Sequence, residues 1–332
     1  MSLRIGLFHP PPSGPLSGGD LYDRKLLDVA AARGYPLQSV PWRDGPVPSG
    51  RWDLLVWDSL LMDRCARLAD ERVALLLHYL PSLDPALESS RRAELQAVER
   101  RAVATADFVV ASGRPVADAA KAFGTGKPVF VCEPGVDPMF ALARAQRVAR
   151  RGPVRLLTVA HLLPAKGHAW LLGILRELSD LPWQWDVVGD RDRSPGTFRQ
   201  LREQAGRAGL AEQIAFHGAV AQAQVAARMA DSDLFVFPSS FESYGMVLAE
   251  AAAAGLPVLA HRVGAAEQLI RDGETGLLVE VGDRDGFRAK LRTLLTDAAL
   301  RARFGEKLRD APVRGWDETF ADFRAVCEAM LE

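Results

Sequence analysis

The stretch LFVFPSSFESYGMVLAEAAAAGLPVLAHR, Leu234 to Arg262, reads in order as strand, loop, helix, turn and strand. Leu234 to Phe237 is a short apolar run of the kind buried on both faces of a parallel sheet. Pro238 and two serines end it. A helix is expected from Ser243 or Tyr244 through the alanines, because Ala is the strongest helix former. Gly255 stands where a C′ glycine belongs, and Pro257 follows where a helix cannot continue. Val258 to Ala260 then begins the next strand, so the local pattern is that of an α/β fold.

Two carboxylates frame the start of this helix. Glu242 lies in the loop and Glu250 two turns in, a separation of roughly 10–12 Å at helical rise. The paired carboxylates of a glycosidase straddle one bond at about 5 to 9.5 Å. The spacing here is too long, or at best marginal, for that chemistry and suits contacts to opposite ends of an elongated ligand. Between them, Ser243, Tyr244, Gly245 and Met246 occupy the expected helix N-terminus. Free N–H groups and the helix dipole there attract phosphate, and Gly245 lets a ligand approach the backbone. The implied ligand has a hydroxylated group, an anionic middle and a second hydroxylated group, which is the form of a nucleotide-diphosphate sugar. Taken singly, either Glu is an ordinary solvated position.

Working outward, the same alternation fills both halves. Arg4 to Phe8 is a first strand, followed by a Gly/Pro-rich loop in which Ser17-Gly18-Gly19-Asp20 opens a helix, with Asp20 as N-cap. Gly18 and Gly19 can bring backbone N–H groups close to a phosphate. Further strands are expected at Pro36 to Val40, at Arg51 to Asp58 and in the run Val73 to Pro81, where the strand ends at His78. Asp58 and His78 then lie at strand ends, where ligands of open parallel sheets bind. Leu87 to Ala106 is a helix whose arginines, Arg91, Arg92, Arg100 and Arg101, read as a solvated face partnered by Glu88, Glu94 and Glu99. A peripheral contact of this face with an anionic membrane is the sharper reading and the less favoured one. The polar, basic segment Ala141 to Gly152 is the expected linker. After it, Leu156 to His168 is strand, loop and helix start, with Lys166 placed as a diphosphate ligand. Leu291 to Arg309 reads as one amphipathic helix and Trp316 to Glu332 as the last.

Composition narrows the class. The 332 residues suit two domains, and 48% hydrophobic with 25% charged residues is a globular balance. No apolar run approaches a membrane span, and the N-terminus lacks the apolar core of a signal peptide, so a cytoplasmic protein is expected. Cys65, Cys132 and Cys327 are too few and too scattered for a disulfide framework or metal site. A net charge of −1 gives no field for nucleic acid. Three Asp-x-Asp pairs, at Asp190, Asp231 and Asp283, are expected by chance, so no catalytic metal and no cofactor is expected. No Gly-x-Gly-x-x-Gly follows the first strand, which argues against a nicotinamide-dependent oxidoreductase.

With these residues in view, the chain resembles family 4 retaining glycosyltransferases, whose signature is Glu, seven residues, Glu, matched by Glu242 and Glu250. The resemblance covers essentially the whole chain and is stronger after residue 150. It implies the GT-B fold, two Rossmann-like domains facing across a cleft with a C-terminal helix crossing back to the first. The boundaries would be 1–150 for the acceptor domain and 151–332 for the donor domain. It implies that Glu250 binds the ribose, Glu242 the donor sugar, and His78 the sugar near the reacting carbon. Gly18 and Gly19 would lie near the donor phosphate and the acceptor. Lys166 would hold the diphosphate. Where the family has a second diphosphate-binding Arg, this chain has His161; either His161 is protonated beside the phosphates or another arginine helps, with Arg191 and Arg193 as candidates. Glu133 to Asp137 resembles the family's PNGVD element, and backbone near Ala219 and Val220 would meet the base. The implied reaction moves a hexose from a nucleotide sugar to an unidentified acceptor, with retention and without metal. Two other classes stay open: a non-catalytic nucleotide-sugar-binding protein, and a nucleotide-sugar epimerase on the same fold.

Overall fold

The computed structural model describes residues 3–11, 14–47, 51–84, 87–145 and 152–332. The chain divides into two compact units, one running to Gly135 and taking in Arg314–Glu332, the other Val136–Val313.

The first unit is a parallel sheet of β1 (Ile5–His9), β2 (Leu37–Pro41), β3 (Leu54–Asp58), β4 (Arg72–Leu77), β5 (Phe108–Ala111) and β6 (Val129–Val131) in the order β2-β1-β3-β4-β5-β6. Its helices are α1 (Gly18–Ala32), α2 (Ser89–Thr105) and α3 (Arg114–Ala122). The second contains α4 (Pro138–Ala145), β7 (Val154–Val159), α5 (His168–Glu177), β8 (Trp183–Val188), α6 (Pro195–Arg207) and β9 (Ile214–Gly218). It continues with α7 (Gln222–Asp231), β10 (Leu234–Phe237), α8 (Met246–Ala253), β11 (Val258–His261), α9 (Ala266–Leu269) and β12 (Gly276–Val279). Helices α10 (Arg284–Thr296) and α11 (Ala298–Arg309) complete it, and α12 (Trp316–Leu331) returns to the first unit. The second sheet runs β12-β11-β10-β7-β8-β9 and is parallel throughout. That is the dinucleotide-fold order, in which the direction of winding reverses between its first and fourth strands, β7 and β10.

The run Leu234–Phe237 shows why the sheet is buried on both faces. Leu234 and Val236 pack into one layer with Leu171, Trp185 and Phe287. Phe235 and Phe237, next to them in sequence, enter the opposite layer with Met229, Leu248 and Ala251. Strand residues alternate faces, so helices on both sides cover the run. Burying each such phenylalanine contributes roughly 1.5–3 kcal/mol.

Several local expectations change. The expected linker is partly α4, which packs on α7 and α8 through Phe140 and Ala143 and belongs to the second unit; residues 146–151 lie outside the described residues. The reading of Ala141 to Gly152 as linker rested on polarity, while two well-spaced apolar side chains are enough to dock one helical face. The expected single helix at Leu291 to Arg309 is two, because Asp297 leaves the helical conformation and caps α11, accepting from Leu300 N–H at 2.8 Å. Asp competes with the helix by such local bonds, which is why it stops one and starts another. Helix α8 begins at Met246, later than expected, because Gly245 takes φ +92°. The N-cap of α1 is Ser17 rather than Asp20. Asp20 completes a capping box, accepting from Ser17 N–H at 2.7 Å while its own N–H donates to the Ser17 hydroxyl at 3.3 Å.

Glu99 is not a solvated partner of arginines. It is buried and accepts from the Ser82 backbone N–H and hydroxyl, while Arg92 donates to the carbonyls of Ser82, Asp84 and Leu87. The pair anchors the turn after β4 to α2. Cys132 and Cys327 are buried and Cys65 partly so, all three as free thiols. Among the described residues no helix is long and apolar enough to cross a membrane.

Candidate functional site

In the second unit the site residues gather at the carboxyl ends of β7 and β10, on either side of the winding reversal, where open α/β sheets hold their ligands. The loop after β7 carries His161 and, in one 3₁₀ turn (Pro164–Lys166), Lys166. Gly167 ends that turn at φ +73°, and a Cβ there would stand 2.2 Å from the Pro238 carbonyl oxygen. Only glycine accepts both the dihedral and the contact. The loop after β10 is fastened to this turn. Ser240 N–H donates to the Ala165 carbonyl at 2.8 Å, and the hydroxyls of Ser240 and Ser239 reach the same oxygen at 3.1 and 3.4 Å. The two loops are therefore one surface, and it brings Lys166 Nζ to 2.5 Å from Glu242 Oε1 with both side chains mostly covered.

Glu250, on α8, is 7% exposed. Burial, with the charge of Asp137 added, pushes its carboxyl up to about 8, so it is largely protonated at neutral pH. Asp137 comes from the Glu-Pro-Gly-Val-Asp element and opens α4, accepting from Met139 N–H at 3.2 Å. Sequence reasoning did not link Asp137 to Glu250; the signal was only the family-like motif.

Other expected contacts divide. Ser243 and Met246 are half-buried beside Glu242, at the start of α8. Tyr244 is 6% exposed and its ring lies in the core layer, so it offers a ligand backbone rather than side chain. Gly245 takes φ +92°, so the backbone itself favours glycine there, whether or not a ligand approaches it. Val220 follows β9, an edge strand separated from β7 by β8, and is partly packed against core. Arg191 lies over the Phe198 ring at 5.6 Å, and Arg193 pairs with Asp190 at 3.4 Å, so both are engaged within their own loop and helix. The Asp-x-Asp pairs act structurally: Asp190 accepts from Asp192 N–H, Asp233 from Arg155 N–H, and Asp283 caps α10.

In the first unit the winding reverses between β1 and β3. Gly18 and Gly19 form the first turn of α1, after β1, and a Cβ on Gly19 would stand 3.2 Å from His78 Cδ2. His78, immediately after β4, is 8% exposed and its Nε2 lies 2.7 Å from Asp23 Oδ1. Asp58, at the end of β3, is 1% exposed and completes the group. Burial pulls the His78 pKa down, but the charge and hydrogen bond of Asp23, with Asp58 and Asp20 behind, raise it on balance. Asp23 was missed in the sequence because it sits on a helix 55 residues from its partner. The heptad-like face of α1, with Tyr22, Asp23, Leu26 and Ala30 buried, was the available sign.

Two doubly wound α/β units, the second with Lys166 set against Glu242 at the carboxyl ends of β7 and β10, have the make-up of the GT-B type of protein. Solved structures share the fold. Sucrose-phosphate synthase from Thermosynechococcus elongatus superposes with a TM-score of 0.84 at 19% identity over 99% of each chain. HepE of Anabaena, in complex with UDP-glucose, does so at 0.75 and 18%, over 99% of this chain and 100% of that one. The family model for glycosyl transferases group 1 matches residues 140–311. A D-inositol 3-phosphate glycosyltransferase of Xylanimonas cellulosilytica is 32% identical over 237 residues, 67% of this chain and 57% of that protein. A phosphatidyl-myo-inositol mannosyltransferase of Mycobacterium leprae is 37% identical over 174 residues, 51% of this chain and 44% of that protein. The matches thus span about half the length of these curated relatives. The chain belongs to the glycosyl transferases group 1 family.

Proposed function

We propose that this chain is a retaining glycosyltransferase that moves a hexose from a nucleotide-diphosphate sugar to an acceptor, without a metal. The observation that carries the reading is the joined loop surface after β7 and β10, which sets Lys166 against Glu242 with Glu250 buried on the helix that follows. In this reading Lys166 lies against the diphosphate and offsets the charge that develops as it departs, the electrostatic contribution that usually dominates such steps. Binding of the donor separates Lys166 from Glu242, which then accepts from sugar hydroxyls. Glu250 takes the ribose hydroxyls, and the backbone of Ser243 to Met246 meets phosphate. His161, Gly18, Gly19 and Val220 hold the supporting contacts that the family resemblance assigns them. His78 is assigned to the transferred sugar. No side chain is given the part of a covalent nucleophile; the donor phosphate takes the acceptor proton.

The names of the relatives guide the acceptor trial, an inositol phosphate series. The test is incubation with UDP- and GDP-hexoses and this series in EDTA, with the new glycosidic linkage read by proton NMR. An α-linked product from an α-linked donor supports the reading; a β-linked product, or dependence on added divalent metal, overturns it. A second reading, binding of the nucleotide sugar without transfer, is favoured by His161 at the family's Arg position. His161→Arg discriminates, because a gain of transfer marks a weakened enzyme and unchanged absence marks a binding protein.

A further inference from the structure

Asp23, Asp58 and His78 form a closed group at the strand ends of the first unit, with ligating atoms all within 4.8 Å of one another. They are 3%, 1% and 8% exposed. His78 Nε2 is committed to Asp23 Oδ1 at 2.7 Å. Asp58 Oδ1 accepts from Leu60 N–H at 2.8 Å and from the Ser59 hydroxyl at 3.3 Å, and the Ser59 oxygen accepts from His78 N–H at 3.1 Å. The other two oxygens, Asp23 Oδ2 and Asp58 Oδ2, are buried and meet no hydrogen-bond donor among the described residues.

Charge counting decides the protonation. Two carboxylates and a neutral ring would place two negative charges in a site sealed from water, and each uncompensated buried charge is costly. Two added protons make the group neutral. One belongs between the two carboxyls, which face each other within this group, because carboxyls crowded together cannot both ionise. The other belongs on the ring, because Asp23 already accepts from Nε2 and a bond between two charged groups is stronger than one between neutral groups. The direction of each titration agrees: burial, then the charge of Asp23, pushes Asp58 up to about 7. The titratable groups facing the ring are Asp20, Tyr22 and Asp23 from α1 and Asp58 from β3.

We propose that Asp23 and Asp58 share one proton and together hold His78 as an imidazolium, so that its Nδ1 is a hydrogen-bond donor rather than an acceptor. With Nε2 occupied, Nδ1 is the ring nitrogen left for a ligand, and a neutral ring would present a lone pair there. The carboxyl pair therefore sets the polarity of the contact His78 makes, and suits an accepting oxygen such as a sugar hydroxyl. Asp23 and Asp58 are positioning residues, and the functional consequence rests on the proposed assignment of His78 to the transferred sugar.

The test is the ring state of His78 in the full chain labelled with ¹⁵N-histidine, its resonances identified by their loss in His78→Gln. The wild type is expected to show both ring nitrogens protonated at neutral pH. Asp58→Asn, whose amide supplies a fixed donor to Asp23, is expected to keep the imidazolium and to lose the inflection near pH 7 that Asp58 confers. Asp23→Asn is expected to leave a neutral ring and to lower the turnover of slow UDP-glucose hydrolysis by roughly tenfold or more with little change in KM, and Asp23→Glu to restore part of both. A neutral ring in the wild type, an unchanged ring in Asp23→Asn, or a metal ion retained stoichiometrically at this group would overturn the proposal. Failure of the donor reading is recorded separately, as the absence of any UDP-sugar thermal shift in a protein whose ring is charged.

Discussion

Glu250 should make this protein less stable than it need be, by an amount that depends on pH. The carboxyl is 7% exposed, and burial first, then Asp137, raises its pKa from the ordinary 4.5 to about 8. Between those values the folded chain keeps a proton that the unfolded chain has released. Stability therefore falls as pH rises from 4.5 toward 8, and the penalty is complete only above the folded value. Each pH unit is worth about 1.4 kcal/mol. At neutral pH, about 2.5 units above the unfolded value, the penalty is on the order of 3 kcal/mol. Glu250→Gln keeps the shape and removes the charge, so it should be more stable than the wild type by about that much at neutral pH. The advantage should shrink as pH falls toward 4.5. The same variant should lose nucleotide-sugar affinity, stability and function opposing each other at one residue. The assay is urea unfolding of both proteins across this pH interval. Parallel stability curves would refute the reasoning, because they would mean that Glu250 titrates alike in the folded and unfolded chains.

Other outcomes follow from close contacts and caps. Gly167→Ala places a Cβ 2.2 Å from the Pro238 carbonyl at positive φ and should cost roughly 2–4 kcal/mol, read as a lowered melting temperature, while displacing Lys166 and weakening donor binding. Gly135→Ala puts a Cβ 2.4 Å from the backbone of Gly315 and Trp316, and should loosen α12, detected as faster amide exchange in that helix. Asp297→Ala removes the cap of α11 and should cost about 1 kcal/mol in chemical unfolding without altering donor binding.

The strands were legible because they are apolar runs bounded by Gly, Pro and Ser, and a strand such as Leu234–Phe237 needs nothing remote to declare itself. Gly255 was legible as a helix end for the same reason, and it has the expected left-handed φ of 64°. Lys166 and Glu242 were readable singly, from their loops. Their pairing was not, because it depends on strand order, which sets β7 beside β10 although 74 residues separate Val159 from Asp233 in number. Asp23 was hidden for that reason too: a carboxylate on a helix reads as a solvent contact until the sheet brings His78 and Asp58 beneath it. The break at Asp297 and the delayed start of α8 at Gly245 are contests between helix propensity and a local cap or turn, and composition favoured the helix in both. Glu99 was misread as exposed because its partner, the Ser82 turn, is invisible from the periodicity of α2.

The most direct measurement is calorimetric titration of UDP- and GDP-hexoses into the wild type and Lys166→Ala, each in EDTA. One donor is expected to bind the wild type with EDTA present, and Lys166→Ala to weaken it by roughly tenfold to a hundredfold, the loss of one charge-assisted contact to phosphate. Binding that Lys166→Ala leaves unchanged, or that EDTA abolishes, would contradict the claim that the joined loops after β7 and β10 form a metal-independent donor site.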